Sequence, residues 1–399
     1  MKFKKKNKII IFLVLAFFLL AIFLAFVVRL FRQPFEKMII PDPKPFAVIS
    51  SDSPLQARFY FNDVLETEIF SEAIVKEINQ ATKSLEVAVY SLKSDKIKQA
   101  IIAASNRGVT VTLILDFRKA EIHDQSLADL PKEIRRLDLG SEERGKTILM
   151  HHKFALIDRG EKNEVLIFGS YNWTALQEKY DPSFLMISTE KNLVASFGRE
   201  FDRLSRREAG PAKLKDHKYY PWDLNLSANG YSYEVWFGPG WSNNGINWKI
   251  KSLIQSAQSE IKIMIWDFTD FSLAQEIITK AQAGVRVKII SDDRNMNNPN
   301  SVFAYLKKEQ ESKKINNLEI ISDANRNQEL IGKDGLEGIE PFLHHHLLLV
   351  DGQRILFGTN NWSKAGSYYN DESAIVTDDP VIITNFNQSF EANYRDNSK

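Results

Sequence analysis

Two short histidine-containing segments hold the side chains of this sequence that are best suited to chemistry. The first reads MHHKFALID and the second reads LHHHLLLVD. Both have the apolar character of buried β-strands, in which residues two positions apart point to the same face. His151 and Lys153 therefore share one face of the first predicted strand, and His344 and His346 share one face of the second. Imidazole can act as a nucleophile, an acid or a base near neutral pH, and the lysine ammonium can hold negative charge. These four residues are therefore the candidate catalytic groups.

Further polar residues follow each segment at matching distances. An aspartate comes five positions after the second residue of each pair, and a Gly-hydroxyl-x-Asn turn comes later. The aspartates are Asp158 and Asp351, and the turn residues are Ser170 and Asn172 in the first half and Thr359 and Asn361 in the second. Cleavage of a phosphodiester requires a nucleophile, a proton for the leaving oxygen and donors that stabilise negative charge. The two motifs contain side chains for all three tasks.

Each motif lies near the end of one of two copies of a longer unit. Residues 59–116 and the segment that begins at Val235 both show a helical stretch, an apolar run rich in β-branched residues, a second helix and a buried strand. The second helix ends at Gly108 in one copy and at Gly284 in the other, and glycine suits the left-handed position that ends many helices. This alternation predicts two α/β units with largely covered sheets.

The whole arrangement resembles the phospholipase D superfamily, whose signature is His-x-Lys, four residues, Asp, and then Gly-Ser-x-Asn. The resemblance rests on both motifs and on the duplicated unit, and it covers nearly all of residues 50–395. It implies an α/β fold in which two pseudo-symmetric phospholipase D-like α-β-α sandwich units share one active site. A single motif could arise by chance, whereas two copies at matching positions of an internal repeat are a specific signal.

The resemblance also implies a role for each motif residue. His151 attacks phosphorus to form a phosphohistidine, while His344 protonates the leaving group and later activates water. The residues that hold the phosphate oxygens are Lys153, Ser170, Asn172, Thr359 and Asn361, and the residues that support the architecture are Asp158 and Asp351. No metal or other cofactor is required. A metal site at the three consecutive histidines 344–346 is disfavoured because alternating strand residues cannot all face one ion.

Two positions depart from the family pattern. His346 stands where the family has lysine, so a side chain with an ordinary pKa of ~6.5 replaces a permanently charged one. Glu372, eleven residues after Asn361, matches an acidic position that orients a catalytic histidine in the family. The same count in the first half leads to Ser183, although Asp181 is close to it and is a candidate substitute. These departures leave an inactive binding or scaffold protein as an open alternative.

A run of twenty apolar residues, 9–28, precedes the two units. At ~1.5 Å per residue, a helix of this length crosses the ~30 Å hydrocarbon core of a bilayer. The run is longer than the apolar region of a cleaved signal peptide and has no clear small-x-small cleavage site, so it predicts one transmembrane signal anchor. Five lysines precede the run, whereas only Arg29 and Arg32 follow it closely. The positive-inside rule therefore predicts a cytoplasmic N-terminus and an extracytoplasmic body.

Changes in composition and the positions of prolines suggest the domain boundaries. The predicted parts are a cytoplasmic basic tail at 1–8, the anchor at 9–28, a linker at 29–50, a first phospholipase D-like unit at 51–205, a connector at 206–230 and a second unit at 231–399.

Charge and composition limit the function without deciding the substrate. The chain has 52 basic and 51 acidic residues, and omitting the five N-terminal lysines leaves 47 basic against 51 acidic. This body lacks the strong positive field of a dedicated nucleic-acid binder, and the absence of cysteine excludes thiolate metal sites. We therefore expect a membrane-anchored phosphodiesterase that hydrolyses phospholipids or transfers their phosphatidyl group, with the membrane as substrate and support. A nuclease of the same superfamily, acting on DNA or RNA, is the main alternative, and the oligomeric state stays open.

Overall fold

The computed structural model of the chain describes both histidine motifs and most of the two predicted units. The described residues are 46–50, 55–63, 68–118, 127, 130–143, 145–215, 221–228, 230–241, 243–323 and 342–397. The predicted tail at 1–8 and anchor at 9–28 lie outside these residues, as does most of the predicted linker at 29–50. Within the described ranges, no helix has both the length and the apolar surface that are needed to cross a membrane. Lys44–Lys399 form one compact unit.

Strands and helices alternate along the first half. Its strands are β1 (Phe46–Ser50), β2 (Ala57–Phe61), β3 (Ser84–Val89), β4 (Leu92–Lys93), β5 (Thr110–Asp116), β6 (Arg135–Leu139), β7 (Ser141–Glu143), β8 (Lys146–Ile148), β9 (Lys153–Ile157), β10 (Val165–Gly169), β11 (Trp173–Thr174) and β12 (Phe184–Ser188). Its helices are α1 (Ile69–Gln80), α2 (Asp95–Asn106), α3 (Ala175–Tyr180) and α4 (Lys191–Ser205), followed by the 3₁₀ helix η1 (Gly210–Lys215).

The second half repeats this alternation. Its strands are β13 (Trp222–Ala228), β14 (Tyr231–Phe237), β15 (Glu260–Ile265), β16 (Arg286–Ser291), β17 (Leu318–Ser322), β18 (Leu347–Val350), β19 (Arg354–Gly358) and β20 (Ser373–Thr377). Its helices are α5 (Ile246–Ser256), α6 (Phe271–Gln282), α7 (Asp293–Asn297), α8 (Phe303–Ser312), α9 (Lys364–Tyr368) and α10 (Pro380–Asn397).

Each half builds one mixed sheet with the same order of strands. Across the described residues both sheets have eight strands, in the orders β1-β2-β12-β10-β9-β3-β5-β6 and β13-β14-β20-β19-β18-β15-β16-β17. Strand β3 pairs in parallel with β5 and antiparallel with β9, and β15 pairs in the same two ways with β16 and β18. The equivalence confirms the predicted mixed α/β fold with two related units.

Local sequence explains these elements well. All residues of the motif strands β9 and β18 are buried, which is why both strands are almost continuously apolar. Helices α2 and α6 begin at Ser94 and Asp270, whose side chains accept hydrogen bonds from the first-turn backbone N–H groups. The same helices end just before Gly108 and Gly284, which have φ of +88° and +95°.

Aromatic side chains from both halves form a shared core. Phe59 and Phe184 come from the first half, and Phe357 and Phe386 come from the second, and all four are completely buried. The ring centroids lie 5.4 Å apart for Phe184 and Phe357 and 5.8 Å apart for Phe59 and Phe386, in edge-to-face contacts. Residues of β9 and β18 belong to the same core, so it fixes the two motif strands relative to each other.

Both units extend beyond the boundaries predicted from the sequence. Strand β1 pairs with β2 inside the predicted linker at 29–50, and β13 pairs with β14 inside the predicted connector at 206–230. Strand β13, at the edge of its sheet, has the sequence WDLNLSA, in which apolar and polar residues alternate. Leu224 and Leu226 pack against the core, so one face of this edge strand is covered.

Candidate active site

Each motif histidine is fixed by the backbone of the other half. The N–H of His151 donates to the carbonyl oxygen of Asp371 at 2.9 Å, and the N–H of His344 donates to that of Pro182 at 2.9 Å. Both histidines stand just before their motif strands, β9 and β18. These two hydrogen bonds between the halves bring both motifs to one interface inside the compact unit.

The His151 ring is held by a carboxylate from the second half. Its Nδ1 lies 2.9 Å from Oε2 of Glu372, and the two side chains are 6% and 0% exposed. The same carboxylate oxygen accepts a hydrogen bond from the Thr359 hydroxyl at 2.6 Å. Burial raises the pKa of Glu372 to about 8 and lowers the pKa of His151 well below its usual range. Because Nδ1 is engaged, Nε2 is the nitrogen that remains for chemistry.

The His344 ring has neutral partners on both nitrogens. Its Nδ1 lies 3.3 Å from the carbonyl oxygen of Ser170, and its Nε2 lies 3.1 Å from the side-chain nitrogen of Gln177. A carbonyl only accepts, so Nδ1 carries the proton and Nε2 accepts from the Gln177 amide. Burial and the Lys153 charge lower the pKa of His344 to about 3. His344 is therefore neutral before substrate binds.

Asp181, which the sequence suggested as the acidic partner in the first half in place of Ser183, does not orient His344. Oδ1 of Asp181 accepts from the backbone N–H of Phe342 at 2.8 Å, and the Ser183 hydroxyl donates to the Asp181 carbonyl at 3.0 Å. The two motifs are thus asymmetric, because His151 has a carboxylate partner and the equivalent His344 does not.

Lys153 and His346 lie beside the two histidines and are both almost completely buried. Nζ of Lys153 donates to the carbonyl oxygen of His151 at 2.6 Å, and burial lowers its pKa to about 7. The ring of His346 is 5.6 Å from that of His344, and neither of its nitrogens has a hydrogen-bond partner. A buried imidazole without partners is costly, and a bound phosphate oxygen would satisfy it.

The turn residues divide into two groups. The Ser170 and Thr359 hydroxyls accept from the backbone N–H groups of Phe184 and Ser373 at 3.1 and 3.0 Å, so they hold the turns to β12 and β20. The side-chain oxygens of Asn172 and Asn361, in contrast, are buried without a partner. Among the four turn residues, the asparagines have unused hydrogen-bonding capacity for a substrate.

Asp158 and Asp351 lie at the opposite ends of the motif strands from the histidines. The Asp158 carboxylate accepts from the backbone N–H groups of residues 82–84, and the Asp351 carboxylate accepts from those of residues 258–260. Each aspartate therefore connects the end of its motif strand to the start of the central strand, β3 or β15.

Among the described residues, two groups of side chains have the spacing of metal ligands. In each group, a carboxylate contacts a lysine or an arginine of the chain. His152, Glu200 and Asp371 surround Nζ of Lys213, which lies 2.6 Å from Asp371 Oδ1. The second group consists of Asp292, Asp293 and Asp323, and its Asp292 binds the Arg294 guanidinium at 2.7 Å. At least one carboxylate of each group is thus already paired with a cation of the chain.

Comparison with known proteins agrees with this geometry. The family model described as "Cardiolipin synthase, PLD-like domain" matches residues 74–205 and 250–394, which is more than half of the chain. The chain belongs to the phospholipase D-like family. The resemblance drawn from the repeated motifs is thereby confirmed.

Curated relatives and solved structures of the phospholipase D-like family extend this result. The chain is 31% identical over 127 residues to the mitochondrial cardiolipin hydrolase of Chlamydomonas reinhardtii, covering 32% of this chain and 53% of that one. It is 32% identical over 145 residues to that of Danio rerio, covering 36% and 59%. The chain thus spans about half the length of these relatives. Phosphatidylserine synthase of Haemophilus influenzae Rd KW20 has the same fold, with a TM-score of 0.61 and 18% identity over 87% of each chain.

Three residues near the phospholipase D-like motifs are not part of either motif. The Tyr90 ring is 5.0 Å from that of His151, and the Trp266 ring stacks on that of His344 at 6.0 Å. Both aromatic residues directly follow a central strand, so alignment of the repeat could have paired them. Gln177 had no such signal, because the equivalent position in the second half is Gly366.

Proposed function

We propose that the protein is a phosphodiesterase whose two halves form one active site, and that it acts through a phosphohistidine. The observation that carries the proposal is the buried hydrogen bond between His151 Nδ1 and Glu372, together with the neutral ring of His344. Nε2 of His151 attacks phosphorus, a phosphorus–nitrogen bond forms, and the bond to the leaving oxygen breaks. Glu372 stabilises the positive charge that develops on the His151 ring.

His344 supplies the proton that the leaving oxygen needs. It must first gain this proton at Nε2, where it now accepts from Gln177. The negative charge of the substrate favours the protonated ring and raises its pKa from the low value that burial imposes. Afterwards His344 takes a proton from water, the water oxygen attacks phosphorus, and His151 is released. An alcohol in place of water would give phosphatidyl transfer by the same steps.

Lys153, His346, Asn172 and Asn361 bind the phosphate oxygens in this proposal. Their buried side chains lie in or beside the two motifs, and His346 and both asparagines have unpaired polar atoms. The unpaired ring nitrogens of His346 support a binding role, because an N–H there can donate to a phosphate oxygen. The unpaired oxygens of the two asparagines only accept, so in this proposal the asparagines bind phosphate through their side-chain N–H groups.

Phospholipid is the proposed substrate class. The similarity to proteins named cardiolipin hydrolases supports this choice, as do the predicted anchor and the slightly acidic body. A nuclease is the second candidate, because the Tyr90 and Trp266 rings flank the two histidines and aromatic rings can stack on the bases of a single strand.

A parallel assay tests the substrate class. Purified full-length chain in phospholipid nanodiscs, containing cardiolipin, phosphatidylglycerol or phosphatidylcholine, is compared with the same chain given single-stranded DNA, and products are identified by mass spectrometry. We expect phosphatidic acid or a transferred phosphatidyl product from lipid, and none from a variant that lacks both motif histidines. Cleavage of DNA alone would favour the nuclease, and inactivity on both substrates would favour the scaffold alternative.

We also propose that residues 9–28 anchor the chain in a membrane with the body outside the cytoplasm. The apolar run and the five lysines before it support this topology. Protease added to intact cells should digest the body while a cytoplasmic marker stays intact. Protection of the body until the cells are lysed would reverse the topology.

A further inference from the structure

Lys213 is a completely buried lysine in the helix η1, between the two halves of the chain. Its Nζ binds the Glu200 carboxylate, lies 2.6 Å from Oδ1 of Asp371 and donates to the Gly238 carbonyl oxygen at 3.1 Å. The side chains of Lys213, Glu200 and Asp371 are all 0% exposed. In the sequence Lys213 stands in a polar, basic passage that is typical of a solvated linker.

All three partners of Lys213 adjoin the pair formed by His151 and Glu372. Asp371 directly precedes Glu372, and its carbonyl oxygen accepts from the His151 N–H. Gly238 donates its N–H to the Glu372 carbonyl oxygen at 2.7 Å. Glu200 lies 2.9 Å from Nε2 of His152, the residue that follows His151. A single ammonium group thus connects the backbone segments that carry both members of the pair.

Electrostatics explains why this position is occupied by a cation. Two carboxylates without a partner would repel each other in a dry interface, and an unpaired buried charge is strongly destabilising. Burial alone would lower the pKa of Lys213, but Asp371 and Glu200 outweigh this effect and raise it. Lys213 is therefore charged across the whole range in which the enzyme would work.

We propose that Lys213 is a positioning residue, which sets the distance between the His151 ring and the Glu372 carboxylate by tying α4 and the start of β20 to η1. This inference rests on the proposed function, because it assigns Lys213 to the geometry of the attacking histidine. Lys213 touches neither substrate nor the reacting atoms. Its effect depends on the steep loss of rate that follows small displacements, about 10²-fold for about 1 Å.

The test compares Lys213→Met with a matched control, Arg159→Met. Arg159 also bridges two carboxylates, Glu86 at 2.7 Å and Asp202 at 2.7 Å, but it stands beside Asp158 at the far end of β9. We expect Lys213→Met to lower kcat by about 30- to 100-fold with KM changed less than about 3-fold. We expect Arg159→Met to leave kcat within about 2-fold while lowering the unfolding temperature.

A second readout does not depend on turnover. The proton in the hydrogen bond between His151 Nδ1 and Glu372 should give a downfield NMR signal in the wild-type chain in nanodiscs, assigned by its loss in His151→Asn. We expect the signal to weaken or move in Lys213→Met and to stay unchanged in Arg159→Met. If Lys213→Met does not fold, the variant that combines it with Asp371→Asn removes the cation and one carboxylate together and tests the same tie.

The outcomes separate this inference from the proposed function. A Lys213→Met chain that keeps kcat within about 3-fold, or an NMR signal unchanged from wild type, would overturn the positioning role. A wild-type chain that turns over neither substrate would overturn the proposed function, and the NMR comparison would still decide whether Lys213 sets the geometry of the pair.

Discussion

The variants His151→Asn and His344→Asn should each have a kcat at least about 10³-fold lower than wild type, because neither half can supply both the nucleophile and the acid. The backbone hydrogen bonds that connect each histidine to the other half support the proposal of one shared site. Turnover of the proposed phospholipid substrate by full-length variants in nanodiscs measures the effect.

Trapping identifies the attacked residue. Rapid quenching of a labelled substrate should give a phosphoenzyme on His151 that disappears in His151→Asn and is mapped by peptide analysis. The matched control is His345→Asn, since His345 is also buried but lies against Asp63 at 3.2 Å on the opposite strand face. This control should keep kcat within about 3-fold per folded molecule. Near-wild-type turnover in either His151→Asn or His344→Asn would exclude a single shared site.

Replacing His346 with lysine should move the alkaline limb of the kcat profile to higher pH by at least about 1 unit. Burial lowers the pKa of His346 well below its usual range, so the free site holds this ring neutral. An anionic phosphate favours the protonated form and shifts the pKa upward again. Activity should then fall as rising pH removes this proton. Lysine starts from an ordinary pKa of 10.5 and keeps its charge longer.

The neighbours of His346 determine how this profile must be read. The groups that act on its charge are His344, His345, His151 and Lys153. In the free site burial lowers the pKa of Lys153 only to about 7, whereas it lowers the pKa of both His344 and His346 well below the usual range of histidine. Because His344 also titrates, a falling alkaline limb by itself cannot be assigned to His346. The variant His346→Gln distinguishes the effect of His346 from that of His344, because it should weaken activity even under mildly acidic conditions. An unchanged alkaline limb in a folded His346→Lys chain at saturating substrate would mean that His346 does not replace the family's lysine.

The sequence by itself determined the duplicated α/β unit, the motif strands and the family. These features depend on local spacing: alternate residues share a strand face, and glycines at 108 and 284 end equivalent helices. The departures at His346 and Ser183 were also visible, because they follow from counting along a repeated motif. The edge strand β13 was missed although its residues, WDLNLSA, alternate between apolar and polar, because its segment was assigned to a polar, proline-bearing connector.

Only the tertiary structure decided which partners the motif residues have. His151 and Glu372 are 221 residues apart, and no local pattern shows that the second half orients the histidine of the first. The same holds for Gln177 and His344, which are 167 residues apart. It also holds for Lys213, which is buried between two carboxylates although it stands in a basic stretch of the sequence. Spacing along the chain fixes the direction of a side chain on its own strand, whereas its neighbours, burial and pKa depend on how the two halves pack.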